Sequence, residues 1–393
     1  MNEIKLKRIL KKRRKKTQDD HLIVFVAQFM SPRLEKIGYA LRKKGYKVIL
    51  LLHEEGRTIG TVSGSRTKPY DKLSFFSGVR DLYMLCMSVR PLVYHVFTGS
   101  QVEDWAVFLI KHKRRIGKIV YDQYDIYRDM YAEQNSRIIE NEKYCMEHAD
   151  GLVCRSFQTQ YLKEKYGYRF GKRRLLFLDY CWNRKRIKRR RKSPQEELRI
   201  VYGGYLSPRQ SNSPLSQIEW EGLSAWVRAT KEHSAKMVVV GSNLSNDYKF
   251  RDFYRLAKNN DNFILKEKMN TTDLILFESR MDYGTDTFEL EKAQKIVFSN
   301  FNFEARETYC ANNKYFDYLD AGIPIICGRP SEMLSGYLEK YGVVFRCTLE
   351  QLPEKMDELK RRRNEYADHV ETARKKFSIH RQIIRLLDFY KNI

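Results

Sequence analysis

The stretch Leu22-Ile23-Val24-Phe25-Val26-Ala27-Gln28-Phe29-Met30-Ser31-Pro32-Arg33-Leu34-Glu35 decides the architecture. Leu22 to Gln28 is a short, almost continuous apolar run of the kind a fully buried strand needs. Ser31 is a good helix N-cap, Pro32 fits the first helical position and Glu35 stands near the capping-box position. The apolar spacing Leu34, Ile37, Gly38, Leu41 then carries a helix that Gly45 closes, and Val48 to Leu52 is a second buried strand. A strand, a helix and a strand in that order make parallel neighbours through a crossover connection.

The alternation continues through Leu92 to Phe97, a helical stretch from Val102 to Lys113, Ile119 to Tyr121, a helix from about Gln134 to His148, and Gly151 to Cys154. Glu54 to Tyr70, rich in Gly, Ser, Thr and Arg, reads as a loop. The pattern restarts at Leu198 to Gly204, with a helix from about Pro214 to Glu232 and a strand from Lys236 to Gly241. Phe263 to Leu265, Ile323 to Cys327 and Val343 to Phe345 read as further strands, and Arg361 to Arg374 and Gln382 to Lys391 as closing helices. At 393 residues the chain is long for one core, since single cores stop growing near ~250–300 residues. The expected division is a basic tail (1–20), an α/β domain (21–180), a basic linker (181–197), a second α/β domain (198–375) and a closing helix (376–393). Two doubly wound domains in tandem put ligand crevices at the carboxyl ends of parallel strands.

The net charge is +25 and is concentrated. Residues 1 to 20 carry a net of +6 and residues 163 to 192 a net of +12, with eight of the nine residues from Arg184 to Lys192 basic. Only +7 belongs to the remaining 343 residues, so the excess reads as recognition patches for an anionic surface. The tail pattern Ile4, Leu6, Ile9, Leu10 among lysines and arginines suits a short basic helix on an anionic membrane; a solvated tail and linker is the plainer alternative. No apolar run approaches the ~18 residues of a membrane span, and no apolar segment of a secretion signal follows the basic start. A cytoplasmic protein, peripheral on the cytosolic membrane face, is expected. The seven cysteines are scattered and form no Cys-x-x-Cys pair, which fits reduced thiols and no zinc site. No phosphate-binding Gly-x-x-x-x-Gly-Lys-Ser/Thr loop, His-Glu-x-x-His pair or Gly-x-Ser-x-Gly elbow occurs.

The run Asn312-Asn313-Lys314-Tyr315-Phe316-Asp317-Tyr318-Leu319-Asp320-Ala321-Gly322-Ile323-Pro324 resembles the donor domain of nucleotide-sugar-dependent glycosyltransferases of the GT-B fold, which carry a similar Lys-x-x-(Glu/Asp)-Tyr-x-x-x-Gly-x-Pro stretch. The resemblance covers about residue 20 to the end. It implies an α/β fold of two facing Rossmann-like domains, with a last helix crossing back to the first domain. It also implies that Asp317 binds the nucleotide ribose, as a carboxylate can by accepting both vicinal hydroxyls. A plain i,i+3 pair between Asp317 and Lys314 on a helix surface is the alternative. Val201-Tyr202-Gly203-Gly204-Tyr205-Leu206-Ser207-Pro208-Arg209 is similar to the strand and glycine turn that open these donor domains, where Gly203 and Gly204 face a diphosphate and Arg209 neutralises the leaving group. The lysine that many retaining members place after this arginine is replaced here by Gln210, Ser211 and Asn212; Lys249, Lys266 and Lys268 are the candidates to substitute for it. Met281-Asp282-Tyr283-Gly284 is similar to the segment before the sugar-binding loop. The donor-binding set implied by the resemblance is thus Gly203, Gly204, Arg209, Asp282, Tyr283, Gly284, Asn313, Lys314 and Asp317.

In the first domain, Ile119-Val120-Tyr121-Asp122-Gln123-Tyr124-Asp125 is similar to the acceptor domains of the same enzymes, so Asp122 and Asp125 are candidates to hold or deprotonate an acceptor hydroxyl. His95, at a strand end, is a further catalytic candidate beside Arg209. The leading expectation is a sugar transferase using a nucleoside-diphosphate sugar, with a glycan or lipid-linked acceptor and retention favoured over inversion. No metal and no cofactor beyond that co-substrate is expected. A nucleic-acid-binding protein using its basic runs on phosphates, and a non-catalytic or epimerase-like relative of the fold, are the alternatives. No base-reading module is present, so nucleic acid is the weaker partner.

Overall fold

The computed structural model describes residues 17–57, 69–97, 103–123, 136–171, 173–182, 187, 191–193, 195–206, 208, 214–241, 244, 248–286, 308–328 and 331–393. The chain divides into two compact units, residues 1–179 with 379–393, and residues 180–378. Among the described residues the first unit contains seven strands: β1 (Asp19–Ala27), β2 (Lys47–His53), β3 (Lys72–Phe76), β4 (Pro91–Phe97), β5 (Ile119–Gln123), β6 (Gly151–Cys154) and β7 (Arg174–Leu176). The second contains β8 (Leu198–Gly204), β9 (Ala235–Gly241), β10 (Phe263–Lys266), β11 (Tyr283–Thr285), β12 (Ile325–Cys327) and β13 (Val344–Arg346).

All pairings between these strands are parallel, in the orders β3-β2-β1-β4-β5-β6-β7 and β10-β9-β8-β11-β12-β13. Each order reverses once, between β1 and β4 in the first sheet and between β8 and β11 in the second. Chain leaving the carboxyl ends at such a point diverges to opposite faces and opens a crevice, the usual ligand position in doubly wound sheets. The central strands are apolar because helices cover both faces: Ile23, Val24, Phe25 and Val26 are fully buried, as are Ile200, Val201, Met237 and Val239.

The first helix, Pro32–Lys43, starts where the sequence predicts, with the Ser31 hydroxyl accepting from the Leu34 N–H at 3.2 Å. Three strands fall outside the sequence reading: β3, β7 and β11, the last only three residues long and too short to show a period. β3 is an edge strand whose Leu73 stays 46% exposed, and β7 is three residues long within a basic stretch. Both have too little buried face to leave a period-two apolar signature. The closing helices are longer than expected, Leu352–Lys376 and Ile379–Asn392. The last one packs on the first unit, where Phe389 and Ile393 fill the space that a side chain at Gly151 would need. Among the described residues no helix is long and apolar enough to cross a membrane.

Candidate active site

In the second unit the β8 turn, the end of β11 and the helix Lys314–Asp320 (preceding β12) converge at the switch point. Gly203 donates its N–H to the Tyr318 hydroxyl at 3.1 Å, and that hydroxyl donates to the Thr285 carbonyl at 2.9 Å, so Tyr318 ties β8 to β11. Gly284 has to be glycine for the same reason: a β-carbon there would lie 2.2 Å from the Tyr318 ring. At Gly204 a β-carbon would meet Lys314 Cε at 2.4 Å, so the lysine stem crosses the bare turn. Its ammonium stands 5.1 Å from the centre of the Tyr202 ring, an attractive cation–π position. Asp317 is half-buried in the first turn of the same helix. Asn312 fastens that helix start, accepting from the Lys314 N–H at 3.1 Å and donating to Asp286 at 2.8 Å. Asn313, the neighbour expected from the resemblance, is half-buried and makes no side-chain cap bond.

Asp282 and Tyr283 stand elsewhere. Asp282 precedes β11, at the amino end of the sheet, fully buried between Lys192 at 2.9 Å and Arg363 at 3.6 Å, and it accepts from the Arg199 N–H at 2.8 Å. Tyr283 is fully buried and donates to the Leu359 carbonyl. Both side chains serve the interior and the packing of the helix Leu352–Lys376, so neither is placed to touch a donor at the carboxyl ends. Arg209 and Asp125 lie outside the described residues.

The same end of the first sheet holds a buried polar chain that the sequence hides. Arg33 binds Asp122 through Nε at 3.2 Å and Nη2 at 3.0 Å, and reaches Asp179 through Nη1 at 3.0 Å. Arg155 holds the other Asp179 oxygen at 2.7 Å. His95 Nε2 lies 3.2 Å from Asp122, and His95 Nδ1 is 2.6 Å from the Tyr390 hydroxyl of the last helix. The Tyr390 hydroxyl donates to Nδ1 of a neutral His95, which leaves the ring proton on Nε2, close to Asp122 but without a hydrogen bond of its own. Asp122 is 1% exposed and His95 fully buried. The sequence offers them as acid–base candidates, but a carboxylate gripped bidentately by an arginine and a histidine with no solvent face are built to fix structure. Arg33, Arg155, Asp179 and Tyr390 escaped the sequence reading; the one available signal was Arg33, a charge set beside the apolar positions of its helix.

This cluster makes the first unit acid-sensitive. Burial would raise the Asp179 carboxyl, but Arg155, Arg33 and Lys36 outweigh it and hold it at about 2. Its stabilisation is complete above the ordinary ~3.9 and is lost as pH falls from there to about 2, amounting to ~2 kcal/mol. Burial lowers His95, so the unfolded chain takes up a proton first as pH drops below ~6.5, and stability declines from there. Urea unfolding of the first unit from pH 8 to 3 is expected to show both declines, and His95→Gln should abolish only the earlier one.

A cavity of about 310 Å³ opens at the carboxyl ends of β6 and β7, lined by Ser156, Thr159, Gln160, Arg174 and Cys154. Burial pushes the Cys154 thiol up to about 11, so at neutral pH the cavity offers hydroxyls, an amide and a guanidinium and no thiolate.

With this geometry in hand, comparison with known proteins is informative only at the level of fold. No protein-family model matches the chain, and no curated sequence matches it. Solved structures do. A UDP-forming α,α-trehalose-phosphate synthase from Burkholderia xenovorans is 9% identical with a TM-score of 0.59, over 95% of this chain and 99% of its own. The N-terminal domain of trehalose-6-phosphate phosphatase from Candida albicans is 8% identical at 0.60, over 95% and 97%. A putative UDP-N-acetylglucosamine 2-epimerase from Listeria monocytogenes is 10% identical at 0.58, over 94% and 95%. The chain therefore has the GT-B fold, with two Rossmann-like domains, as the sequence resemblance implied.

Proposed function

We propose that the protein is a glycosyltransferase that takes a sugar from a nucleoside-diphosphate sugar bound at the carboxyl end of the second sheet. The observation that carries this reading is the meeting of Gly204 and Lys314 at the β8/β11 switch point: a side-chain-free turn lets a diphosphate approach the backbone, with an ammonium beside it to balance charge. In this reading Asp317 accepts from the ribose hydroxyls, Gly203 and Asn313 shape the turn and the helix start, and Arg209 adds charge to the leaving group. Asp282 and Tyr283 have no part in it, and Gly284 acts by admitting the Tyr318 ring. Structural neighbours named for UDP release and for a UDP-sugar support the choice of co-substrate. Asp125 is the base we assign to the acceptor hydroxyl, Asp122 and His95 fix the strand Ile119–Gln123, and retention is favoured by the family resemblance alone. No metal takes part in this reading.

The test is a ligand-observed NMR screen of uridine, guanosine, thymidine and cytidine diphosphate sugars with wild type and Asp317→Ala. Selective binding that weakens at least ~10-fold in the variant, ~1.4 kcal/mol, supports the site; no binding by folded wild type contradicts it. The epimerase-like neighbour favours one other reading, in which the same donor site isomerises the sugar. A donor isomer formed without any acceptor in that experiment would establish it.

The acceptor in this proposal is a glycan or lipid-linked glycan at an anionic membrane face, and the hydroxyl- and arginine-lined cavity of the first unit suits a sugar-sized group. The membrane part rests on the two basic segments, since each Lys or Arg near an anionic leaflet contributes ~1 kcal/mol. Vesicles containing phosphatidylserine are expected to bind the full chain at low salt and to lose most of it when residues 1 to 18 are deleted. Binding that ignores salt and the deletion contradicts a polybasic anchor, and stronger binding to RNA or DNA than to vesicles favours a nucleic-acid partner.

A further inference from the structure

We propose that Glu278 is a positioning residue of the donor site, a buried acid set directly behind Gly203 whose neutral form permits the anionic diphosphate to bind and whose ionised form opposes it. This rests on the donor-site reading above and deepens it. Glu278 ends the helix Thr271–Glu278, after the apolar run Leu274, Ile275, Leu276, Phe277, and is 1% exposed. Its Oε1 lies 2.6 Å from where a β-carbon at Gly203 would stand, so the carboxyl occupies the space this glycine leaves open. Its Oε2 is buried without a hydrogen-bond partner.

Among the described residues, the charged groups that act on it are carboxylates. Asp317 and Asp320 approach from the helix Lys314–Asp320, and Asp320 is itself committed to the Trp182 N–H at 3.1 Å and to Arg374 at 3.5 Å. Tyr318, from the same helix, presents a phenol that burial keeps neutral. β8 contributes Gly203, which has no side chain, and Tyr202, whose ring takes the Lys314 ammonium. Burial, then Asp317, then Asp320 push the Glu278 carboxyl well above the usual carboxylate range and so favour its neutral form.

A buried acid with an unmade hydrogen bond costs stability that a well-packed apolar residue would not. Because its folded proton affinity is raised, its stabilising share is whole only below ~4.3 and declines as pH rises toward its folded value. Orphaned, perturbed acids concentrate at functional sites. A diphosphate at the Gly203–Gly204 turn would bring its charges against the face opposite Glu278, where little water screens them. Neutral Glu278 adds no repulsion there, whereas its anion would. Binding and protonation must then be reciprocal, each raising the affinity for the other.

The experiment is calorimetric titration of the full chain with UDP, GDP, TDP and CDP from pH 7.5 to 9.5, where the terminal phosphate is already ionised. It is run for wild type and Glu278→Gln. Wild type should weaken as pH rises across this range, while Glu278→Gln should match it within threefold at pH 7.5 and stay flat. At pH 8.5, wild type titrated in two buffers of different ionisation enthalpy should take up protons on binding, a readout independent of any variant. Parallel pH profiles of the two proteins, a flat wild-type profile or no proton uptake would overturn the role of Glu278 while leaving the donor site standing. No binding of any of the four probes by wild type would instead overturn the donor site and this inference with it.

Discussion

Arg33→Met is expected to destabilise the first unit by about 3–5 kcal/mol, the range for removing one member of a buried ion cluster. Arg33 is 4% exposed and is the shared partner of Asp122 and Asp179. Without it Asp179 retains Arg155 at 2.7 Å, but Asp122 retains only the neutral imidazole of His95 among these contacts. Protonation of His95, 3.2 Å from Asp122, would then supply the missing positive charge, so the loss should be smaller at pH 5.5 than at pH 8. Adding Asp122→Asn to Arg33→Met removes the stranded charge and should recover a substantial part of the loss. Urea unfolding followed at several pH values measures all three outcomes. A single variant within 1 kcal/mol of wild type would mean that solvent reaches this cluster and that its burial carries no energetic weight.

Lys314→Met should weaken nucleoside-diphosphate binding 10- to 100-fold, ~1.4–2.8 kcal/mol, because a charge-assisted contact to phosphate is worth about that much. Folding stability should move far less. The ammonium is half-buried and its one ring contact, with Tyr202, is worth ~0.5–1 kcal/mol, while the methionine keeps the stem packed over Gly204. Comparing calorimetric affinity with thermal unfolding separates the two effects. Equal affinity in variant and wild type would remove Lys314 from the donor site.

The architecture was legible in the sequence where elements are buried on both faces. β1 and its following helix, signalled by Ser31 and Pro32, announce a parallel sheet, and the restart at Leu198 announces the second. What escaped were elements whose stability comes from neighbours far along the chain: edge strand β3, with exposed Leu73, and the three-residue β7. Of the candidate site, the sequence showed the residues that the fold brings together where composition and turn geometry coincide, Gly203, Gly204 and the Lys314–Asp317 stretch. It was not legible where a residue's role depends on which charges surround it. Asp122 looks like any strand-end carboxylate until Arg33, 89 residues earlier, is seen to grip it. Asp282 sits beside Gly284 in a promising motif, yet it precedes its strand and faces the opposite end of the sheet. Glu278, closing an apolar run, carried a local signal in its placement, but the acids that keep it neutral come from another helix.

Hydrogen–deuterium exchange of the full chain, with and without the nucleoside diphosphate selected by the ligand screen, tests the location of the donor site most directly. Slowed exchange centred on the amides around Gly203 to Leu206 and Asn312 to Asp317, and reduced in Lys314→Met, is the predicted result. Protection confined to the first unit, or none at saturating nucleotide, would contradict it.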